Sequence, residues 1–352
     1  MPPKTTVQQF APRLIAWQQQ HGRHHLPWQV ADPYGVWLSE IMLQQTQVAT
    51  VLDYYPRFMA AFPNVQALAA APQDAVLSLW QGLGYYSRAR NLHKAAQQVV
   101  ADFNGEFPRT RPQLERLSGV GRSTAAAIAA FAFGQRESIL DGNVKRVLCR
   151  VFAQDGEANS KAFNDTLWAL AESLLPPAAA DMAAYTQGLM DLGATVCKRS
   201  KPLCNACPMA DVCQARAQNR VAELPRKKTA VAVAVLPLYW LVLRRADGAL
   251  WLHKRPQKGI WGGLWCVPCV SNLVEAEQWL AQAGLNLADM SEGHTISHRL
   301  THRLLQITPL VCDFRLPESS AIIEDDGEWV AKADLAAYGL PKPLAAYLAE
   351  IR

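Results

Sequence analysis

Four of the eight cysteines, Cys197, Cys204, Cys207 and Cys213, fall in one short segment with the spacing C-x6-C-x2-C-x5-C. Thiolates are soft ligands, and four grouped so tightly match the ligand set of a [4Fe–4S] cluster. A four-cysteine zinc site is the alternative, although such sites ordinarily arrive as two C-x2-C knuckles and this segment has one. The other cysteines, Cys149, Cys266, Cys269 and Cys312, are scattered. The opening Met1-Pro2-Pro3-Lys4 has no apolar export signal. A metal centre in a reducing compartment is therefore expected, rather than a disulfide framework. Cys197 closes an apolar helical stretch and Pro208 follows Cys207, so 197–213 should form a loop-rich cap.

Three further segments could do chemistry, each with a plainer role beside it. In "LSGVGRSTAAAIAAFAFG", Gly119 and Gly121 precede an alanine-rich helix whose first N–H groups could approach a phosphate. Such a hairpin would grip a DNA backbone without reading bases; it reads equally as a turn between packed helices. In "LDGNVKRVLCRVF", Asp141 could cap the helix opening near Asn143, or its carboxylate could stabilise a cation developing on a sugar. In "WLSEIMLQQTQV", Glu40 begins a helix among Trp37, Leu38, Ile41, Met42 and Leu43. A carboxyl desolvated there would hold its proton and serve as a general acid; a solvated first-turn Glu favoured by the helix dipole is the other reading. Gln44 lies one turn on, on the same face.

These groups need elements to position them. At 352 residues the chain exceeds the usual single-core limit, so more than one domain is expected. With 50% hydrophobic and 18% charged residues it is globular rather than disordered. A net charge of +5 suits a polyanionic partner without demanding one. No apolar run is long enough for a membrane span. From Phe10 to about Arg216 the apolar spacing is helical, punctuated by prolines. Glu40–Ala61 is expected as one helix, with others over Asp74–Trp80 and Arg88–Phe103. Arg216–Thr229, with "RVAELPRKKT", reads as a polar, basic linker. Beyond it, "TAVAVAVLPLYWLVLRR" and "GALWLHKRP" are β-rich and flank Asp247-Gly248, a hairpin signal. Asn272–Ala283 reads as a helix, His302–Phe314 as a strand and Leu344–Ile351 as a terminal helix, making the second domain α/β or α+β.

Together, "SEIMLQQTQV", "LWQGLGYYSRARNLHKAA", "GVGRSTAAAI", "LDGNVKRVL" and "MDLGATVCKRSKPLCNACP" resemble, in order and spacing, the helix-hairpin-helix DNA glycosylases, and within them the MutY-type adenine DNA glycosylases. The resemblance implies an all-α glycosylase domain over 1–216, with its helix-hairpin-helix near 114–131 and an iron–sulfur cap at 197–213. A linker at 217–230 and a Nudix-like α/β domain at 231–352 would follow. The implied reaction flips adenine, mispaired with 8-oxoguanine or guanine, out of duplex DNA and hydrolyses its glycosidic bond. Glu40 would then be the acid that protonates adenine N7, Asp141 the carboxylate at the oxocarbenium-like sugar, and Asn143 its assistant. Leu26, Trp28 and Gln187 align with the adenine pocket, Tyr85 with an aromatic wedge, and Gln44 and Gln45 with the helix start that fills the vacated stack. Lys198 and Arg199 would face DNA phosphates. A [4Fe–4S] cluster on the four cysteines, a monomeric state and a cytoplasmic, nucleoid-associated location of bacterial type complete the expectation.

Ser123 stands where related lyase-active glycosylases carry a lysine that attacks the sugar, so strand cleavage is not expected. "LHKRPQKGIWGGLWCVP" resembles the family's Nudix-like signature, with Trp261 and Gly262-Gly263 in place. Ser271–Ala283 has only Glu275 and Glu277, so nucleotide hydrolysis on magnesium is not expected and the domain should sense 8-oxoguanine instead. The sensor loop falls on Leu300-Thr301-His302 rather than Ile296-Ser297-His298, because only the first keeps its spacing to "RLLQITP". Leu300 and Thr301 replace the family's Phe and Ser there, and Ser118 replaces a proline in the hairpin. His294 and His298 are expected on surface loops. The rival readings are an endonuclease III-like pyrimidine glycosylase, a non-catalytic iron–sulfur DNA-binding protein and a nucleotide-pool Nudix hydrolase.

Overall fold

The computed structural model describes residues 4–157, 160–226, 233–314 and 327–351. Its helices are α1 Lys4–His21, α2 Pro33–Leu43, α3 Val48–Ala61, α4 Val65–Ala70, α5 Gln73–Leu79, α6 Ser87–Phe103 and α7 Arg111–Leu114. They continue as α8 Arg122–Phe133, α9 Gly142–Val151, α10 Lys161–Ser173, α11 Met182–Asp191 and α12 Gln214–Ala217. The strands are β1 Ala234–Arg245, β2 Leu250–Lys254, β3 Trp265–Cys266, β4 Cys269–Val270, β5 Ser291–Glu292, β6 Ile296–Arg299, β7 Arg303–Phe314 and β8 Gly327–Val330. Helices α13 Leu273–Gln282 and α14 Lys342–Glu350 accompany them. Among the described residues no helix is long and apolar enough to cross a membrane.

The chain divides into two compact units, one made of residues 1–70 with 91–229, the other of 71–90 with 230–352. The first is all-helical. Its core gathers Phe10 and Leu14 of α1, Val147 and Leu148 of α9, and Tyr185 and Leu189 of α11. Asp32 starts α2, its carboxylate accepting from Tyr34 N (3.4 Å) and Gly35 N (2.9 Å), with Pro33 at the first helical position. Trp37, Leu38, Ile41 and Met42 then bury almost completely.

The expected single helix 40–61 is two. Gln44 leaves the helical region and Gln45 takes a φ of 56°, so α2 ends at Leu43 and α3 begins at Val48. Neither Gly nor Pro marks the break. It follows a tertiary contact: Gln44 Nε2 donates to Gly119 O (3.3 Å) and Thr124 Oγ1 (3.2 Å). Glu40 therefore lies in the last turn of a helix, not the first. The expected linker also differs. Leu224 is buried in the helical core and its carbonyl accepts from Arg150 Nε at 2.8 Å, so 217–226 packs as part of this unit. Residues 227–230 lie outside the described residues.

The second unit is built on an eight-stranded mixed sheet, with β1 and β7 parallel from Ala234↔Arg303 to Arg244↔Asp313. Side chains alternate along β1. Leu241 and Leu243 pack with Ala276 and Leu280 of α13, whereas Trp240 faces the other way, 6.0 Å from the ring of Tyr347 on α14. The Asp247-Gly248 hairpin forms, with Gly248 at a φ of 84°. Residues 71–90 join this unit: Lys254 pairs with Asp74 at 2.8 Å, Ser78 Oγ donates to Ala336 O at 2.9 Å and Tyr86 OH to Leu340 O at 3.4 Å. His298, expected on a loop, is instead half-buried in β6 with its ring 6.1 Å from Trp261.

Candidate active site

Two cavities meet at Glu40. The inner one, of about 390 Å³, is walled by Leu26, Trp28, Val36, Phe131 and Gln187. This is within the usual size range of small-molecule sites. The outer, more open cleft is lined by Gln44, Gln45, Gly121, Ser123, Asp141 and Asn143. Glu40, Arg23, Leu43, Val48 and Met190 line both. Burial pushes the Glu40 carboxyl up to about 8, helped by the nearby negative charge of Asp141. It therefore carries its proton at neutral pH, at the boundary between the two cavities.

Asp141 is the N-cap of α9, its Oδ1 accepting from Val144 N at 2.7 Å. The residue is nevertheless solvent-exposed and turned into the outer cleft, so capping and a role at the site are compatible. Desolvation of its carboxyl by the surrounding protein raises it above the ordinary range, against the lowering effect of the Val144 and Asn143 N–H groups. Asn143, two residues on, packs against Gly193 so closely that a Cβ there would lie 2.7 Å from Asn143 Cβ. Gly193 belongs to a π-helical turn, Leu192–Val196, that continues α11.

The inner wall is fixed by a buried carboxylate that the sequence does not advertise. Asp191, only 1% exposed, accepts from Gln187 Nε2 (2.8 Å), Arg23 Nε (2.7 Å) and Arg23 N (2.9 Å). Trp28 is held edge-on to Tyr55, with ring centroids 5.7 Å apart. At the hairpin, Gly119 has a φ of 78° and a Cβ there would fall 2.8 Å from Asn91 Cβ, so this glycine is required by packing. Gly121 begins α8 without a side-chain cap, and a Cβ on it would meet nothing. Ser123 Oγ accepts from Leu140 N at 3.0 Å, tying α8 to the segment that ends in Asp141.

Cys197, Cys204, Cys207 and Cys213 stand round one apolar cavity with Val147, Leu192 and Val221. Among the described residues no three metal-ligating side chains converge tightly enough for a single ion. Arg150 is threaded beneath the cysteines: its Nη1 donates to Cys197 Sγ (3.5 Å) and Lys198 O (2.7 Å), its Nη2 to Arg199 O (3.3 Å). The Arg199 side chain is exposed, that of Lys198 half-buried.

In the second unit, Tyr85 is 44% exposed, holds a φ of 49°, and its hydroxyl lies 3.0 Å from Thr301 Oγ1. So bulky a residue at positive φ is a conformational outlier of the kind found at functional sites. Leu300 N donates to Arg303 O at 2.8 Å, which puts Thr301 and His302 at the exposed tip of the β6–β7 hairpin. A cleft runs past them, lined by Tyr86, Arg90, Trp261 and His298. On α13, Glu275 is engaged locally, its carboxylate accepting from Ser271 N and Asn272 Nδ2.

The family model for the HhH-GPD superfamily of base excision DNA repair proteins matches residues 38–173, and that for the NUDIX domain matches 239–350. An adenine DNA glycosylase of Buchnera aphidicola subsp. Baizongia pistaciae is 34% identical over 346 residues, covering 97% of each chain. The chain belongs to the adenine DNA glycosylase family. The human adenine DNA glycosylase is 46% identical over 220 residues, 60% of this chain and 40% of that one. Among solved structures, a thermostable thymine-DNA glycosylase matches 61% of this chain and 98% of its own, with 29% identity and a TM-score of 0.55. This glycosylase thus pairs a helix-hairpin-helix unit with a Nudix-like one, and its family consists of base-excision DNA N-glycosylases.

Proposed function

We propose that this glycosylase releases adenine paired with 8-oxoguanine or guanine in duplex DNA. The observation that carries the reading is a carboxyl protonated at neutral pH, Glu40, standing between a cavity walled by Trp28 and Phe131 and a neighbouring cleft that holds a second carboxylate, Asp141. A flipped base fits the inner cavity between Trp28, Leu26 and Gln187, while its sugar and phosphates stay in the outer cleft. Glu40 gives its proton to adenine N7, which makes the base a competent leaving group as the C1′–N9 bond breaks. Asp141 faces the oxocarbenium-like sugar and captures it as a transient adduct, as in retaining glycosidases. Glu40, now ionised, takes the proton of the water that releases the sugar. Asn143 assists at the same sugar.

Ser123 has no amine and its hydroxyl is committed to Leu140 N, which supports a monofunctional enzyme without strand cleavage. The uncapped start of α8 at Gly121 suits a phosphate oxygen. The four thiols round one apolar cavity suit a [4Fe–4S] cluster better than one ion. Bound there, the cluster would cross-link the cap and fix the loop that carries Lys198 and Arg199. Glycoside hydrolysis moves no electrons and needs nothing else of it. Thr301 and His302 would read the 8-oxoguanine, and Tyr85 would be the wedge. The deciding assay measures base release from duplexes pairing A with 8-oxoguanine, G, C and T, with and without alkali. Release from the first two, with strand breaks only after alkali, is expected. No release from either would overturn the proposal.

A further inference from the structure

Outside both cavities the second unit holds a close pair of thiols that the glycosylase reading does not use. Cys266 and Cys269, in "WCVPC", end β3 and begin β4, and their sulfurs are 3.4 Å apart. Cys266 pairs with His253 on β2, and Cys269 with Trp240 on β1, so the two thiols face each other where two strand pairs diverge. Cys266 is fully buried, Cys269 half-buried. The Cys269 sulfur lies 3.1 Å from Val267 O as well as beside Cys266.

From this geometry we infer that Cys266 and Cys269 form a reversible dithiol–disulfide site, oxidised by low-molecular-weight disulfides, with Cys269 as the attacking thiol and Cys266 as the resolving one. The two sulfurs of this C-x2-C pair are already in van der Waals contact, and Cys269 is the less buried of the two residues. The S–H of Cys266 stabilises a Cys269 thiolate and lowers its proton affinity against the opposing effect of burial, with Arg255 adding its charge. Cys266 itself is raised, by burial first and then by Cys269. The Cys269 thiolate attacks a small disulfide RSSR, forms a mixed disulfide and expels one thiolate. Cys266 then gives its proton to the expelled thiolate, attacks the Cys269 sulfur and expels the second thiolate, which is protonated in solvent. One RSSR is reduced to two RSH as the protein disulfide forms. Arg255 also donates to Ile260 O at 3.0 Å, so the loss of a thiolate beside it is felt in the loop that carries Trp261. This site is independent of base excision.

The test equilibrates the full-length protein with oxidised and reduced glutathione at graded ratios, blocks free thiols by alkylation and maps peptides by mass spectrometry. The expected product is a single peptide carrying an intramolecular Cys266–Cys269 disulfide, reversed by dithiothreitol, together with altered amide exchange over 256–264. C266S should stop at glutathione on Cys269, and C269S should leave Cys266 unmodified. Circular dichroism of each variant checks folding, and the wild-type arm decides alone if either unfolds. Two alkylated thiols at every ratio in the folded wild type would overturn the inference. So would glutathione held stably on Cys269 with Cys266 still free.

Discussion

Arg146 Nη2 donates to Asn143 Oδ1 at 2.9 Å. The same guanidinium donates from Nη2 to Gly193 O at 2.7 Å and from Nε to Cys197 O at 2.8 Å. One side chain therefore ties a proposed active-site amide to the π-helical turn and to the first cysteine of the cap. Charged hydrogen bonds of this sort are worth about 1.5–3 kcal/mol each when their acceptors are left unpaired. Arg146→Met should slow adenine release by about tenfold or more through Asn143 and also loosen the cap. Single-turnover excision and the thermal melt should both fall; a melt unchanged beside slower release would show that the cap does not depend on Arg146.

Glu40→Gln should cost about 100- to 10,000-fold in the excision step, the range for a lost general acid, while binding of the mispaired duplex survives. In the native enzyme the acid form is needed first, so the single-turnover rate should decline as pH rises through about 8. Rapid-quench excision across pH 6 to 10 (roughly the accessible window) measures it. A rate flat through that window would remove Glu40 from the acid role.

The same group makes a stability prediction. Folding raises the Glu40 carboxyl from 4.5 to about 8, so the native state binds a proton that the unfolded chain has released. Native stability is therefore lost progressively as pH rises from 4.5 to about 8. Glu40→Gln escapes that loss. Its melting temperature should exceed that of the native enzyme at pH 8 and converge with it in acid, which differential scanning calorimetry at both pH values can read.

Ser123→Ala should leave Leu140 N without its acceptor and lower stability by about 1 kcal/mol, with base release little changed. Ser123→Lys should add alkali-independent strand breaks trapped by borohydride, because an amine then reaches the sugar. Denaturant titration checks the first and a trapping gel the second.

Thr301→Ala removes the 3.0 Å contact with the Tyr85 hydroxyl. Release of adenine opposite 8-oxoguanine should slow by several-fold, whereas release opposite guanine should not. Equal slowing on both duplexes would mean that the contact only positions Tyr85.

The elements around the site were legible where local signals agreed with packing. Asp141 caps α9 and Asp247-Gly248 turns β1 into β2, whereas the start of α2 at Asp32-Pro33 lies seven residues before the helix start expected at Glu40. Glu40 and Asp141 could be singled out, but not weighed, because desolvation depends on which helices close around a carboxyl. The break at Gln44-Gln45 was illegible: it comes from Gly119 and Thr124, more than a hundred ångströms of extended chain away. Asp191 escaped notice for the same reason, since only the fold brings Arg23 to it. The C-x2-C spacing of Cys266 and Cys269 is visible in the sequence, but only the fold sets their sulfurs face to face between β3 and β4.

That break has an electrical consequence. By ending α2 at Leu43, it places Glu40 within the final turn, at the negative pole of the helix dipole, which amounts to about half an elementary charge. Had α2 run on to the end of α3 at Ala61, that pole would have been moved about five turns away. The negative end of the α2 dipole instead bears on the Glu40 carboxyl and opposes its ionisation, in the same direction as burial. A kink with no glycine or proline behind it thus helps keep a proton loaded on the acid.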